Sequence, residues 1–251
     1  MQILESVQGS PGYATGIRFS PAELDAVKEA IKGHLAATLD EVSPKDVALV
    51  MDTPLERYHE ISAHIPHQTL VTRTARILPE SAVRLIRSTS LVRQLEDAFG
   101  PFEISDEEKV GRESISMRLV RPGMDSDVGS LHCDDWFWDI YKFEKPATHQ
   151  RVKVWTAISC EPGKAGLLVS ADSHKRPWRY NLIERAGMKK PLLDPAEKPG
   201  TELFQSQPGD GIIFNYHLLH GGSVTSAGSV TRVSIEFTIL VPNEAFTHAL
   251  Q

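Results

Sequence analysis

Cysteine is nearly absent from this chain: Cys133 and Cys160 are the only two in 251 residues. Two thiols cannot build a disulfide framework, so the core has to hold the fold, and the shortage suits a reducing compartment. Long apolar runs are missing as well. None approaches the roughly 18 residues that cross a bilayer, and the opening MQILESVQGS lacks the charged start and apolar stretch of a secretion signal. Positive charge is not in excess either. Lys plus Arg total 27 against 33 Asp plus Glu, a formal charge of −6, which argues against general attraction to nucleic acid or to anionic membranes. Internal repeats and low-complexity linkers are also lacking. These absences predict a cytoplasmic protein with no membrane span and no nucleic-acid partner.

What is present is enough to fold. A hydrophobic content of 41% can bury a substantial core, and a β-rich chain of this length forms one domain over residues 1–251. Its front, roughly 1–110, reads as helical. Ser20 and Glu23 make a capping box with Pro21 at the first helical position, and Leu24, Val27, Ile31 and Leu35 follow at helical spacing. A second helical region follows Pro79, with Leu91, Leu95 and Phe99 in one stripe and Gly100 and Pro101 as its stop. Both regions read as packing elements.

The back, roughly 111–242, shortens to strand patterns. Strands are predicted over 115–120, around His132, and over 152–158, 166–170, 211–214 and 230–240, punctuated by turns such as Arg121-Pro122-Gly123 and Gln207-Pro208-Gly209-Asp210. Many short strands with such punctuation predict a mainly β fold with flanking helices, a jelly roll.

His132-Cys133-Asp134 is the pattern that carries chemistry. On a strand, His132 and Asp134 point to one face and Cys133 to the other, so the pair could chelate a metal. His220, 88 positions on, would complete a two-histidine, one-carboxylate face of an octahedron with three corners open. Two rivals stand beside these residues. His217 could replace His220, and Asp135 could replace Asp134, although a regular strand turns Asp135 away. In the last strand, Val233, Ile235, Phe237 and Ile239 alternate with Arg232, Ser234, Glu236 and Thr238. The polar face meets either solvent or the mouth of the barrel, where a guanidinium and a hydroxyl could hold a carboxylate.

Residues 208–237, PGDGIIFNYHLLHGGSVTSAGSVTRVSIEF, resemble the distal-histidine motif of the phytanoyl-CoA dioxygenase-like family of Fe(II)/2-oxoglutarate oxygenases. The Arg121-Pro122-Gly123 turn, His132-Cys133-Asp134, Val154-Trp155-Thr156-Ala157, and Gly166-Leu167-Leu168-Val169 leading to Ser173-His174-Lys175 agree in order. The resemblance implies a double-stranded β-helix with His132, Asp134 and His220 as iron ligands. It implies further that Arg232 pairs with the far carboxylate of 2-oxoglutarate, that Ser234 supports that carboxylate, and that Trp155 looks onto the cosubstrate. Gly221 and Gly222 depart from the hydroxyl or amide residue common after the distal histidine. The implied cofactors are Fe(II), 2-oxoglutarate and O2, and the implied reaction is hydroxylation of a small molecule with release of succinate and CO2. No catalytic side chain beyond the metal ligands is needed, and Asp134 favours hydroxylation over halogenation, because related halogenases carry a small residue there.

Other readings stay open. A cupin-like isomerase or oxygenase would use the same barrel without 2-oxoglutarate and would not need Arg232. A non-catalytic jelly roll would keep the metal for stability alone, though structural sites usually saturate coordination with protein atoms. His174 and Lys175 either end a strand in solvent or contact a ligand. Trp136, Phe137, Trp138 and Tyr141 either wall a pocket or fill the core. Arg112, Arg118, Arg121, Lys153, Lys164, Lys175, Arg176 and Arg179 are either ordinary surface charge or attraction for an anionic substrate.

Overall fold

A computed structural model describes residues 2–185, 188–223 and 228–247. Residues 224–227, which fall inside the distal-histidine motif, lie outside the described residues.

The capping box at Ser20 forms as its sequence dictates. Ser20 Oγ accepts from the Glu23 N–H at 3.4 Å, and the Glu23 carboxylate accepts from the Ser20 N–H at 2.9 Å. The helix Pro21–Asp40 that follows buries Leu24, Val27, Ile31, Leu35 and Leu39 in one apolar cluster with Val154, Ile213 and Ile235 of the sheet. Full burial of each such side chain contributes about 1.5–3 kcal/mol as an upper estimate. The region after Pro79 is two helices, Glu80–Arg87 and Ser90–Phe99, and Leu91, Leu95 and Phe99 are buried. Gly100, at φ +74°, ends the second in a conformation that a residue with Cβ adopts poorly.

Eleven strands are formed among the described residues: β1 Tyr13–Arg18, β2 Glu103–Ile104, β3 Ser116–Val120, β4 His149–Ser159, β5 Gly166–Val169, β6 Tyr180–Arg185, β7 Met188–Leu193, β8 Glu202–Leu203, β9 Asp210–Asn215, β10 His220–Ser223 and β11 Arg232–Pro242. The larger sheet runs β1-β9-β4-β11-β2, with β3 also on β11; the smaller runs β10-β5-β8, and β6 pairs with β7 in a hairpin. All these pairings are antiparallel. The architecture is a double-stranded β-helix with flanking helices, as the strand patterns predict.

Two expectations are corrected. The front is not purely helical: β1 edges the larger sheet beside β9, and β2 lies beside β11. The segment around His132 is not a strand. His132 forms an isolated bridge with His220, and a helix, Asp134–Tyr141, starts two residues later. Its two opening aspartates suit a helix N-terminus, where the backbone N–H groups and the macrodipole favour negative charge.

The last strand is buried on both sides. Val233, Ile235, Phe237 and Ile239 join the cluster under the helices, while Arg232, Ser234 and Thr238 on the other face are each 2% exposed or less. A polar face inside the barrel is cut off from bulk solvent. It has to find partners in the protein or in a ligand.

Candidate functional site

Backbone pairing brings the two distant segments together. His132 and His220 exchange N–H···O bonds of 2.9 Å in both directions, and the Asp134 N–H donates to the Tyr216 carbonyl at 3.1 Å. The Cys133 thiol donates to the His217 carbonyl at 3.0 Å. Held this way, Asp134 Oδ1 lies 4.0 Å from His132 Nε2 and 3.8 Å from His220 Nε2. The extended Cys133 keeps His132 and Asp134 on one side although the strand itself is absent.

The tautomers are set from behind. His132 Nδ1 faces the Ser130 carbonyl at 2.8 Å, and His220 Nδ1 faces the Leu218 carbonyl at 3.0 Å. A carbonyl only accepts, so each Nδ1 carries the hydrogen and each Nε2 turns a lone pair inward. Burial, and after it the neighbouring His220, pushes the His132 pKa down to about 4, so the ring is neutral at neutral pH. Asp134 Oδ2 is buried without a hydrogen-bond partner. Two imidazoles and a carboxylate with ligand atoms within 4.8 Å of one another make a donor set that fits an octahedral iron with open positions.

The rival ligands are occupied elsewhere. His217 Nδ1 and Asp135 Oδ2 bond each other at 2.7 Å, so they pair beside the triad rather than join it.

Arg232, Ser234 and Trp155 also meet. Arg232 Nη1 donates to Ser234 Oγ at 2.9 Å, and the guanidinium carbon stands 5.8 Å from the Trp155 ring centroid. A Cβ added to Gly222 would lie 3.5 Å from Arg232 Nη2 and 2.8 Å from Val128, so glycine after the distal histidine lets β10 approach the guanidinium. Arg232 Nε is buried without a partner, and among the described residues no carboxylate comes within ion-pair distance of this side chain. Burial, then repulsion from Arg118, lowers the Arg232 pKa to about 10.

Four charged groups of the interior were not singled out as site residues by sequence reasoning. Lys153 Nζ stands 3.9 Å from Asp134 Oδ1 and 3.7 Å from Glu107 Oε2. Burial alone would lower Lys153, but Asp134 and Glu107 reverse that and raise its pKa. Arg118 pairs with Glu236 at 2.7 Å, which raises the guanidinium and holds the Glu236 carboxyl well below its usual range against the effect of burial. The signal available was the polar alternation of β11, which Lys153 and Arg118 face from the neighbouring strands. Five of the other cations are held in ordinary ways: Arg121 by Asp127, Lys175 by Asp172, Arg176 and Arg179 by Glu197, and Arg112 by backbone carbonyls. His174 rests against the Gln8 carbonyl at 3.4 Å. Of the aromatic cluster, Phe137 reaches the triad, edge-on to His132 at 5.1 Å, whereas Trp136 stacks on Tyr180 and Trp138 lies under Arg151.

Sheets and triad together define a non-haem iron oxygenase on a double-stranded β-helix. A model of the phytanoyl-CoA dioxygenase (PhyH) family matches residues 12–232, and the chain belongs to that family. With membership come its cofactors, Fe(II), 2-oxoglutarate and O2. No curated protein matches the chain. Among solved structures, apo ThoJ, a non-heme monooxygenase, superposes with a TM-score of 0.58 at 12% identity over 95% of this chain and 77% of that one. EctD from S. alaskensis with 2-oxoglutarate and 5-hydroxyectoine gives 0.55 at 15% identity, over 96% and 75%. AviO1 from Streptomyces viridochromogenes Tue57 gives 0.51 at 14%, over 96% and 94%. At these identities the likeness is one of fold. No described helix is long and apolar enough to cross a membrane.

Proposed function

We propose that the protein is a cytoplasmic Fe(II)- and 2-oxoglutarate-dependent dioxygenase that hydroxylates an unactivated carbon of a small molecule. His132, Asp134 and His220 hold the metal through the two Nε2 atoms and the Asp134 carboxylate. Arg232 pairs with the far carboxylate of 2-oxoglutarate, Ser234 supports it, and Trp155 forms the wall beside it. Bound together, Fe(II), 2-oxoglutarate and O2 supply the oxidising power, with succinate and CO2 as by-products. The protein contributes position and dryness: it fixes the tautomers, holds the carboxylate ligand and closes the interior to bulk water.

One observation carries the cosubstrate assignment: Arg232, a buried guanidinium at the start of β11 without a carboxylate partner among the described residues, reaches to Gly222 of β10, two residues from the distal histidine. A charge kept there uncompensated is costly, and a dicarboxylate would relieve it. Asp134 in the ligand set favours hydroxylation over halogenation. The reading treats residues 1–251 as one domain, which the pairing of β1 and β2 with strands of the back supports. Its test is the anaerobic titration of iron-loaded protein with 2-oxoglutarate, followed by a screen of metabolites for substrate-dependent succinate. Failure of folded, iron-loaded protein to bind 2-oxoglutarate would refute it.

A further inference from the structure

Arg118 lies opposite Ser234 in the register of β3 on β11, and directly opposed residues share a face, so its side chain points into the barrel with those of Ser234 and Arg232. Yet 35% of that side chain is exposed, whereas Arg232 is 2% exposed and Ser234 1%. The polar face is therefore closed at Arg232 and open to solvent at Arg118. This opening belongs to the interior that holds the triad. Glu236 is the first cause that raises the Arg118 pKa and Asp134 a lesser one, and Arg118, after burial and His220, helps to lower that of His132.

The pairing of Arg118 is one-sided. Nε donates to Glu236 Oε1 at 2.9 Å, Nη2 stands 2.7 Å from the same oxygen, and Nη1 has no hydrogen-bond partner among the described residues. A guanidinium carries five N–H donors in a planar fork, so the edge formed by Nη1 and Nη2 can still take a second acceptor. Another guanidinium, Arg76, stands beside β3, its carbonyl accepting from the Met117 N–H at 2.8 Å. Its Nε is buried without a partner, and burial, then Arg118, lowers its pKa to about 10.

Charge decides what such an opening accepts. In the loaded centre, a ferrous ion and Arg232 balance Asp134 and the two carboxylates of 2-oxoglutarate. Around that neutral centre remain Arg118, Arg76 and Lys153 against Glu236 and Glu107, because Glu108 is taken by Arg73. Glu107 is not a full counterweight, since burial raises its pKa. An enclosed space with cations in excess favours an anion, and a purely apolar substrate closing the mouth would desolvate the open edge of Arg118 without an acceptor for it. We infer that Arg118 recognises the substrate at the mouth of the barrel, and that the substrate carries an oxyanion, carboxylate or phosphate, which takes the guanidinium edge left open by Glu236. This rests on the dioxygenase reading and adds the chemical class of the substrate and the residue that reads it.

The test uses the whole protein, anaerobic and loaded with Fe(II) and saturating 2-oxoglutarate, whose visible charge-transfer band reports an intact centre. Aliphatic and aromatic carboxylic acids are each titrated beside the corresponding amide, and alkyl and sugar monophosphates beside the unphosphorylated alcohol, with binding read by thermal shift and by perturbation of the band. At least one anion should bind, its neutral counterpart roughly tenfold or more weakly, and the arm that responds names the oxyanion. Arg118→Gln should weaken that binding by roughly tenfold or more while 2-oxoglutarate titrates as in the wild type, and Arg118→Lys should recover part of the loss. Glu236→Gln, which removes the carboxylate competing for the same guanidinium, should tighten it; a pair that served the fold alone would bind the anion no better without Glu236. Failure of every anion on protein that shows the band, equal binding of the neutral counterparts, an unaltered affinity in Arg118→Gln, a loss confined to 2-oxoglutarate, or no gain in Glu236→Gln would overturn the assignment of Arg118 and leave the dioxygenase reading standing. Absence of the band in the loaded, folded wild type would overturn that reading, and the assignment with it.

Discussion

His217 Nδ1 and Asp135 Oδ2 lie 2.7 Å apart, three residues before His220 and one after Asp134. The two residues that rival the metal ligands in the sequence are therefore each other's partner, and their bond ties the start of the helix Asp134–Tyr141 to the loop before β10. The His217 side chain is 46% exposed, so the pair is worth no more than about 1 kcal/mol. His217→Ala should shift the urea unfolding free energy by about that much or less and should keep stoichiometric metal binding. His220→Ala should lose the metal. A reversed pattern in a Co(II) titration would exchange the two assignments.

Arg232→Ala should weaken 2-oxoglutarate binding by about 2–4 kcal/mol, the usual cost of truncating one partner of a buried charge pair. Metal affinity should change little, because the guanidinium touches Ser234 and Trp155 rather than a ligand atom. Calorimetry on anaerobic, metal-loaded protein measures both quantities, and an unchanged cosubstrate affinity would remove Arg232 from the site.

Lys153 gives a prediction whose sign is informative. Its ammonium is 3.9 Å from Asp134 Oδ1 and opposes a divalent cation bound there. Lys153→Met should therefore tighten Co(II) binding at least about tenfold, a part of what a unit charge contributes at this range. Glu107→Gln leaves that ammonium less compensated and should loosen Co(II). If Lys153 served packing alone, both substitutions would loosen it.

The metal-free protein should lose stability in mild acid. Burial lowers the pKa of His34, His67 and His132, the last to about 4 from an ordinary value of 6.5. Below pH 6.5 the unfolded chain takes up protons that the folded state refuses, so stability falls as pH drops and levels off once the folded pKa is passed. For His132 alone the loss is on the order of 2–3 kcal/mol. Urea melts of the apoprotein between pH 7 and 4 should show this slope, and His132→Gln should flatten it; an unchanged slope would mean that His132 is not held neutral by the fold.

Much of the barrel was legible because its strands alternate cleanly, and the capping box at Ser20 marked the first long helix. β1 was not, since Gly16 and a register shift between Thr15 and Ile17 break its period. β10 was not either: Gly221 and Gly222 have poor strand propensity and are needed for close approach, a Cβ on Gly221 meeting the Leu131 backbone at 3.2 Å. Asp134 and Asp135 are a helix-start signal that the strand reading of His132 concealed. Lys153, Arg118 and Glu236 were visible as charges but could not be placed, for a deeper reason. Alternation separates an apolar face from a polar one, but it cannot say whether the polar face meets water or the inside of a barrel.

The dioxygenase reading is tested most directly by adding 2-oxoglutarate to anaerobic, iron-loaded protein and recording the visible spectrum. The wild type should develop a weak charge-transfer band that saturates at one equivalent, Asp134→Ala should not, and Arg232→Ala should need far more cosubstrate to reach it. Folded wild-type protein that holds iron and shows neither the band nor 2-oxoglutarate binding would contradict the account.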